Sequence, residues 1–425
     1  MMTATSPRYR VEGGSALRGS VRTSGSKNAA LAAMCASLLT DEDIILENVP
    51  DISDVHSVRR LLENLGTTVR DLSDGSICLN SASISTFETP TALITENRAS
   101  FQVTGPLLGR FGWASSAPPG GDAIGQRPID VHLGGFASMG ATVEQVEDRW
   151  VARAPDGPGS LRGARIFMDY ASVTGTQNVL MAAVLARGQV AIVNAATEPE
   201  VSDLANLLAA MGAKISGVGS QILEVDGVES LHGARVRIMP DRIEAGTFAI
   251  AAAVTAGEIE ILEAPVHVMD ALIAKLRACG AGVDATPGRL VVSGPSQLRA
   301  VSFQALPYPG LATDLHSPMA AMLTQAQGVS IIHERVFDNR MLYVGELRKM
   351  GAEIVSTGSS AIVLGPTKLH GARVRALDVR AGAAVLLAAL AATGTTTIEE
   401  VSHLDRGYEA LEEKLRELGA GIERN

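Results

Sequence analysis

The sequence is poor in aromatic residues and in cysteine, and it has no long apolar segment. Three cysteines, Cys35, Cys78 and Cys279, cannot form an even disulfide framework, and their spacing gives no metal-binding pair. We expect them to be small core residues. Aromatic residues make up 4% of the chain and form no stripe for an interface, so a monomer is predicted. Because a signal-peptide core and an uninterrupted apolar membrane segment are also missing, we predict a soluble, cytoplasmic protein.

The net charge of the chain and the motifs that it lacks limit the partners, metals and cofactors that it is expected to bind. The net charge of -10, from 36 Lys and Arg against 46 Asp and Glu, argues against binding to nucleic acid or to an anionic membrane. The eight histidines show no metal-ligand spacing, and His132 and His403 are interpreted as core or supporting residues. No dinucleotide-binding or P-loop glycine motif is found. We therefore expect no cofactor and no metal.

A short motif closes an apolar helical pattern six times, with a period of about 70 residues. In each copy a glycine follows Leu, Met or Cys and precedes Ala or Thr, and a short alternating segment typical of a strand comes next. These glycines should end helices with a positive φ, a conformation that costs other residues energy. The six are Gly66, Gly140, Gly212, Gly280, Gly351 and Gly419.

Each repeat also contains a helix that is apolar on all sides, such as the Ala-rich segment at 246–253, which indicates burial inside a domain. The repeat thus predicts a strand, a buried helix, a strand, an amphipathic helix and further strands. Three repeats make about 210 residues, the size of a domain. The sequence therefore predicts an α/β fold of two domains with three repeats each.

Four segments depart from this pattern and could carry chemistry. Ser24 to Asn28 precede a buried helix, and a helix N-terminus beside Lys27 suits a phosphate or a carboxylate. The alternative is a capped helix with a solvated lysine. The glycine- and proline-rich segment 119–130 is typical of a binding loop, with Asp122 at its tip. A solvated acid is the simpler interpretation of Asp122.

The other two segments place acids and arginines at helix starts. Asp314 opens an apolar helix, where capping of the helix is the simple explanation. Asp378 with Arg380, and Arg406 in the segment 403–409, could be surface ion pairs of little energetic value. They could equally form an anion-binding cleft, which a chain of net charge -10 must make locally positive.

Taken together and in this order, the four segments resemble the enolpyruvyl transferases, and the branch that acts on UDP-N-acetylglucosamine more than the shikimate-pathway branch. The resemblance covers residues 9–424, and the segments HLDRGYE and PGGDAIGQRPID are its specific motifs. It implies an inside-out α/β barrel of two domains built from six repeats, with the active site in the cleft between the domains. One domain would span 27–239 and carry a catalytic loop at about 117–130; the other would comprise 1–26 and 240–425.

The resemblance also implies a reaction and its residues. An acceptor hydroxyl adds to C2 of phosphoenolpyruvate while C3 takes a proton; phosphate then leaves, and an enol ether remains. Asp314 would accept the hydroxyl proton, and Lys27 and Arg406 would share in catalysis. The implied phosphoenolpyruvate ligands are Lys27, Asn28, Arg127, Arg380 and Arg406. The implied ligands of the uridine nucleotide are Arg98, Arg127, Pro128, Ile129, Asp130, Val131, Ser172, Val173, Asp314 and Val336.

One departure from the family pattern concerns the proton donor. Asp122 stands where the common pattern has a loop cysteine, and we hypothesise that it is the general acid. A free aspartic acid is ionised at pH 7. For half of it to be protonated at that pH, its surroundings must disfavour the charged form by about 4 kcal/mol. A closed cleft crowded with substrate anions could supply that energy. Because fosfomycin attacks the family's thiol, the chain should also be resistant to fosfomycin.

Other departures leave the acceptor open. Tyr170, Thr174 and His316 stand where lysine, glycine and glutamine are common in the family. They represent either drift in an enzyme of peptidoglycan synthesis, which we favour, or a paralogue that uses another acceptor, such as UMP in nucleoside antibiotic biosynthesis. A non-catalytic nucleotide-binding relative is a third possibility. The complete set of expected catalytic and anion-binding residues argues against it.

Overall fold

In the computed structural model the chain is described over residues 7–122 and 124–425, and it has an α/β fold. The strands are β1 (Tyr9–Glu12), β2 (Arg18–Arg22), β3 (Asp43–Glu47), β4 (Thr68–Asp71), β5 (Ile77–Asn80), β6 (Trp113–Ser116), β7 (Thr142–Val146), β8 (Arg149–Arg153), β9 (Arg162–Phe167), β10 (Arg187–Val193), β11 (Lys214–Ser216), β12 (Ile222–Asp226), β13 (Ala234–Arg237), β14 (Glu258–Ala264), β15 (Gly282–Thr286), β16 (Gly288–Ser293), β17 (Leu298–Arg299), β18 (Phe303–Ala305), β19 (Ala326–Glu334), β20 (Glu353–Thr357), β21 (Ser360–Gly365), β22 (Arg373–Arg375), β23 (Thr395–Glu399) and β24 (Gly421–Arg424).

The helices are interspersed among these strands, and single strands or runs of up to four strands separate most of them. They are α1 (Lys27–Ala36), α2 (Ser53–Leu65), α3 (Thr91–Ile94), α4 (Thr104–Phe111), α5 (Asp130–Ser138), α6 (Val173–Ala183), α7 (Pro199–Ala210), α8 (Arg242–Val254), α9 (Asp270–Ala278), α10 (His316–Leu323), α11 (Tyr343–Lys349), α12 (Val379–Ala391), α13 (Ser402–Asp405) and α14 (Leu411–Glu417), with single 3₁₀ turns at Ser37–Leu39, Ala99–Val103, Val266–Val268 and Thr313–Leu315.

The described residues divide into two compact units, called here the N-terminal unit (25–122 and 127–239) and the C-terminal unit (7–24, 124–126 and 240–425). The sheets of the N-terminal unit have the orders β13-β3-β5-β4, β6-β8-β7 and β11-β12-β10-β9. Those of the C-terminal unit have the orders β22-β23-β1-β24, β15-β16-β14-β2 and β17-β19-β21-β20, with β18 beside β19. Each sheet is an open row of strands, and none within the described ranges closes into a barrel.

The first strands of the chain belong to sheets whose other members come much later. β1 lies between β23 and β24 and is antiparallel to both, so that Tyr9 faces Ile398 on one side and Arg424 on the other. β2 is parallel to β14. The C-terminal unit therefore needs the N-terminal segment to complete two of its sheets.

Helices without a polar face lie inside each unit. In α12 every residue except Ala391 is buried, which fits a sequence of Val, Ala, Leu and Gly with one arginine. The helices α8, α10 and α12 pack against one another in the C-terminal unit, and α4 packs against α6 in the N-terminal unit.

The six repeated glycines all have the positive φ that the sequence predicts, between 90° and 111°. Gly66 caps α2 directly, and each of the others lies two residues beyond the last residue of α5, α7, α9, α11 or α14. A hydrogen bond from each glycine amide closes the end of its helix, as from Gly419 to Arg416. The expectation of a left-handed helix end at these six glycines is confirmed.

The sheet β17-β19-β21-β20 exposes aliphatic side chains to solvent. Val329 faces Leu364 across the strand pair, Ile331 faces Ile362, and Val355 pairs with Ile362 on the other side; all five are exposed. Half-exposed side chains of this size give a patch on the order of 400 Å², within the range of the largest patch on ordinary monomers. The scarcity of aromatic residues gave no hint of this surface.

Two further sequence expectations can be compared with the structure. All three cysteines are buried, as predicted. Burial raises the pKa of Cys35 to about 12 and that of Cys279 to about 11. Across the described ranges, no helix is both long and apolar enough to cross a bilayer.

Replacing a glycine at a helix end should lower the free energy of unfolding through the backbone alone. A Cβ at Gly419 would meet no neighbour within 4 Å, so Gly419→Ala should cost about 1 kcal/mol for its positive φ. At Gly66 the carbonyl oxygen of Ser83 lies 2.4 Å from that Cβ, and the loss should be larger. Chemical denaturation would measure both.

Gly345 is the matched control, because it lies inside α11, has no positive φ and has open space at its Cβ position. Gly345→Ala should leave the stability unchanged or raise it by up to about 1 kcal/mol. Equal losses at positions 419 and 345 would contradict the backbone explanation.

Candidate active site

Lys27 begins α1, with Ser26 as the cap that accepts a hydrogen bond from the amide of Ala29. The lysine side chain is buried, and its Nζ lies 2.6 Å from Oδ2 of Asp54 at the start of α2. The alternative of a solvated lysine is therefore wrong. Asn28, the next residue of the helix, is exposed. A cation and an amide thus stand side by side at the N-terminus of a buried helix.

A cluster around Arg98 joins several of the expected nucleotide ligands. Arg98 donates a hydrogen bond of 2.7 Å to the carbonyl oxygen of Pro128, and Tyr170 donates one of 2.8 Å to Oδ1 of Asp130. Burial, and then the charge of Arg127, lower the pKa of Arg98 to about 10. Two guanidinium groups that repel each other in one place form a site suited to an anion.

The starts of α5 and α6 bring the other expected nucleotide ligands together. Ser172 caps α6 and accepts a hydrogen bond of 3.1 Å from the amide of Gly175, and Val173 is the first residue of the helix. A Cβ on Gly175 would lie 2.7 Å from Cγ2 of Val131, so Val131 touches this turn. Ile129 is the residue immediately before α5. Two adjacent helix N-termini thus border one surface.

Thr174 and His132 form part of the support of this surface. The Nδ1 atom of His132 accepts a hydrogen bond from the side-chain Nδ2 of Asn178. The other ring nitrogen, Nε2, therefore carries the hydrogen, and it lies 3.5 Å from the hydroxyl of Thr174. Burial and the charge of Arg98 lower the pKa of His132 to about 3. Thr174 lies in the first turn of α6, where a Cβ is tolerated. The histidine is a neutral core residue, as the sequence predicts.

The loop that carries Asp122 lies against the two arginines. Gly121 has a φ of +116°, and a Cβ there would lie 3.3 Å from Cβ of Arg98 and 3.4 Å from Nη1 of Arg127. Asp122 follows directly and is half-buried. Of the expected loop, Ala123 alone lies outside the described residues. Asp122 is thereby next in sequence to a glycine that lies close to Arg98 and to the guanidinium group of Arg127.

Residues 124–126, which follow Ala123, belong to the C-terminal unit. Ile124 is buried, and its carbonyl accepts a hydrogen bond from the amide of Asn339. The amide of Gln126 donates to Oδ1 of Asp338 at 3.2 Å. A Cβ on Gly125 would lie 1.6 Å from that same oxygen, so only glycine permits the contact.

Asp314 lies in the 3₁₀ turn Thr313–Leu315 and is bound by two arginines. Its Oδ1 is 3.0 Å from Nη2 of Arg340, and its Oδ2 is 2.9 Å from Nη2 of Arg380. Both arginine side chains are buried, whereas that of Asp314 is partly exposed. The expected capping role is wrong, because the turn has no side-chain cap and the carboxylate faces the guanidinium groups. Such a pair of cations favours the ionised carboxylate.

Arg380 occupies the first turn of α12, where Asp378 caps the helix. Burial lowers its pKa, but the charges of Asp314, Tyr408 and Asp241 together outweigh that effect and raise the pKa above the ordinary value. Its guanidinium carbon lies 5.4 Å from the ring centre of Tyr408. A hydrogen bond between Arg380 and Tyr408 adds to this rise of the pKa. Among the described residues, the buried Nη1 atom meets no acceptor in hydrogen-bond geometry.

The two remaining expected residues lie in the same unit. Arg406 follows α13 directly and is half-buried, two residues before Tyr408. Val336 is exposed, and its amide donates a hydrogen bond of 2.8 Å to Glu334.

Sequence reasoning missed the partners of the expected residues, namely Asp54, Arg340 and Glu334. Asp54 and Arg340 bind Lys27 and Asp314, and no local sequence pattern links the members of either pair. No group of three or more potential metal ligands occurs in the part of the chain that is described.

The neutral state of His132 makes a prediction about pH and stability. Because folding lowers the pKa of His132 to about 3 from its unfolded value of about 6.5, the unfolded chain binds the extra proton between these values. Its contribution is present above pH 6.5 and is lost as the pH falls, by up to about 1.4 kcal/mol per pH unit.

In His132→Gln the free energy of unfolding should be lower at pH 8 but should fall less steeply between pH 6.5 and 4.5. Exposed His370 is the control, and His370→Gln should keep the slope of the unsubstituted protein. Urea denaturation at several pH values measures the slopes. Parallel slopes in all three proteins would disprove this assignment.

The family model described as EPSP synthase (3-phosphoshikimate 1-carboxyvinyltransferase) matches residues 11–415. The chain is 46% identical over 418 residues to a UDP-N-acetylglucosamine 1-carboxyvinyltransferase of Gluconacetobacter diazotrophicus, with 98% of this chain and 99% of the relative covered. A relative of the same name from Paramagnetospirillum magneticum is 45% identical, with 98% of each chain covered.

Solved structures agree in fold. The enolpyruvyl transferase NikO from Streptomyces tendae superposes with a TM-score of 0.89 at 26% identity, with 99% of each chain covered. An EPSP synthase from Acinetobacter baumannii gives a TM-score of 0.78 at 17% identity, with 99% of this chain and 100% of that chain covered, which bears on the fold alone. With a family model that spans most of its length and relatives above 40% identity along nearly all of it, the chain belongs to the EPSP synthase family of enolpyruvyl (1-carboxyvinyl) transferases.

Proposed function

We propose that this enzyme transfers the enolpyruvyl group of phosphoenolpyruvate to the 3-hydroxyl of UDP-N-acetylglucosamine and releases phosphate, as a step of peptidoglycan precursor synthesis. The relatives at 45% and 46% identity carry the name of this activity. The observation on which the site itself depends is the carboxylate of Asp314, held between two buried guanidinium groups. A base fixed beside cations is what the reaction needs at the attacking hydroxyl.

In the proposed reaction the acceptor oxygen forms a bond to C2 of phosphoenolpyruvate, and Asp314 takes the hydroxyl proton. Asp122 gives a proton to C3, so that a tetrahedral intermediate forms. The C–O bond to phosphate then breaks, a proton leaves C3, and the double bond of the product forms. The negative charge of both substrates requires cations, and the buried Nη1 of Arg380 is a donor suited to an anion.

We assign the remaining roles by the same chemistry. Phosphoenolpyruvate would be held by Lys27, Asn28, Arg127, Arg380 and Arg406, and the uridine nucleotide by Arg98, segment 127–131, Ser172, Val173 and Val336. In support, Arg98 contacts the segment 127–131, and Val131 contacts the turn that Ser172 begins.

The acceptor is tested by phosphate release from phosphoenolpyruvate in parallel reactions with UDP-N-acetylglucosamine and with UMP. We expect release with the sugar nucleotide and a kcat/KM at least about 100-fold lower with UMP. Asp314→Asn is the matched control, and it should lose roughly 100-fold or more in kcat. Release with UMP alone would establish the alternative acceptor. No release with either would favour a nucleotide-binding protein without catalysis.

The role of Asp122 is tested by substitution and by fosfomycin. Asp122→Asn should lower kcat by roughly 100-fold, because the amide cannot supply the proton to C3. The unsubstituted enzyme should resist fosfomycin, since Asp122 provides no thiol and all three cysteines are buried. Asp122→Cys should restore turnover and introduce time-dependent inactivation.

Full activity of Asp122→Asn would exclude the proposed acid. Inactivation of the unsubstituted enzyme by fosfomycin would show that a group other than a loop thiol reacts with the drug. Cys35→Ser then serves as a control for the core cysteines, and it should not alter the response.

The monomeric state also remains a prediction, as does the cytoplasmic location. Two copies joined through the exposed apolar face of Val329, Ile331, Val355, Ile362 and Leu364 would bury about 800 Å², less than a standard stable interface. Sedimentation at micromolar concentration should therefore give a single species of 44.2 kDa. A dimer that Ile362→Lys dissociates would overturn the prediction.

A further inference from the structure

A buried carboxylate outside the expected set connects the two segments that carry Asp314 and Val336. Glu334 ends β19, and its side chain is fully buried. Oε2 accepts hydrogen bonds of 2.8 Å from the hydroxyl of Thr313 and from Nδ1 of His316. Oε1 accepts from the amides of Val336 and Phe337 at 2.8 and 3.2 Å. Each carboxylate oxygen therefore serves a different segment.

The contacts form a closed ring. Thr313 precedes Asp314 in the 3₁₀ turn, so Oε2 of Glu334 holds the turn that carries the base. Oε1 holds the beginning of the segment 336–340. That segment ends at Arg340, whose guanidinium group returns to Asp314 at 3.0 Å. A shift of the Glu334 carboxylate would thus move the base and the expected nucleotide contact together.

His316 is buried and holds the Glu334 carboxylate of this ring through a hydrogen bond. Its exposure is 0%, so any effect of His316 on the acceptor would have to pass through its neighbours. Both ring nitrogens are used: Nδ1 donates to Glu334, and Nε2 accepts a hydrogen bond of 2.8 Å from the hydroxyl of Tyr343. Glutamine, common here in the family, could supply the same donor and acceptor.

The charges agree with this arrangement. Burial lowers the pKa of His316, although its hydrogen bond to Glu334 and the charge of Glu334 oppose that effect. Burial raises the pKa of Glu334, but its hydrogen bond and charge interaction with His316, and the hydrogen bonds from Val336 and Thr313, outweigh it and lower the pKa overall, so the carboxylate is ionised. An ionised acceptor with four donors makes strong, directional hydrogen bonds.

We propose that Glu334 is a positioning residue, oriented by His316, that fixes the turn of Asp314 and the segment of Val336 in one geometry for reaction with the uridine nucleotide. The inference rests on the proposed function, since it needs Asp314 as the base and Val336 as a nucleotide contact. It places His316, Glu334 and Tyr343 in support of the base without contact to either substrate.

The test compares Glu334→Ala, Glu334→Gln, His316→Leu and His316→Gln. In Glu334→Ala, and more mildly in His316→Leu, kcat should fall by roughly 10- to 100-fold, and KM for UDP-N-acetylglucosamine should rise several-fold. KM for phosphoenolpyruvate should change less than KM for UDP-N-acetylglucosamine, because among the expected phosphoenolpyruvate ligands Arg380 touches the ring, through Oδ2 of Asp314, whereas Lys27 and Asn28 belong to the other unit. His316→Gln should recover most of the loss. Glu334→Gln keeps an oxygen for the two amides and should lie between the extremes.

His333 is the matched control, because it precedes Glu334 on β19 and points to the opposite face, with its Nδ1 2.7 Å from Ser360. His333→Leu should leave all kinetic constants unchanged. Should Glu334→Ala fail to fold, Glu334→Gln and the two His316 variants still decide the question. Equal losses in His316→Leu and His316→Gln, or a fall in melting temperature with unaltered kinetics, would overturn the proposal.

Hydrogen exchange separates this inference from the proposed function. The amides of Val336 and Phe337 should exchange at least about tenfold faster in Glu334→Ala than in the unsubstituted protein, whichever acceptor the enzyme uses. Unaltered exchange would show that Glu334 does not fix the segment. If exchange rises as expected but the unsubstituted enzyme releases no phosphate with UDP-N-acetylglucosamine, the proposed function fails and the structural link stands.

Discussion

The candidate site depends on charges that the fold holds partly out of water. A chain of net charge -10 that is to bind anionic substrates must gather its cations locally, and this one places them at the ends of apolar helices. Lys27 begins α1 and Arg380 lies in the first turn of α12, each beside a carboxylate that stabilises its burial. Removing either acid would leave an uncompensated buried charge, which is strongly destabilising. The same acids therefore serve stability and hold the cations in place.

Four of the buried helices begin with a residue whose side chain caps the helix. Asp241 and Asp378 cap α8 and α12, and Ser26 and Ser172 cap α1 and α6. Each of these helices has an almost wholly buried body, so its position is fixed by packing on several sides. The polar residues at the starts of these helices are therefore held in fixed positions as well.

Much of the fold could be predicted from the sequence, because its signals are local. The positive φ of the six glycines follows from the helix-ending motif, and the burial of α12 follows from its composition. Asp314 could be singled out, but its capping role was wrong, because the choice between a helix cap and two arginines depends on Arg340 and Arg380. Those partners lie 26 and 66 residues away. The burial of His316 could not be predicted either, because the local sequence of an apolar helix does not show which residues from other segments pair with a single polar side chain.

The insertion of β1 and β2 into the C-terminal unit has a consequence for synthesis of the chain on the ribosome. The N-terminal unit ends at residue 239 and can be complete before the partner of β2, which begins at Glu258, has been made. At ordinary translation rates β1 and β2 wait on the order of ten seconds or more for their partners. During this time the edges of both strands are unpaired. Charged side chains keep such edges from pairing with other chains, and the two strands carry Arg10, Glu12, Arg18 and Arg22. The C-terminal unit is thus the last part to fold, although it contains the first strands to be made.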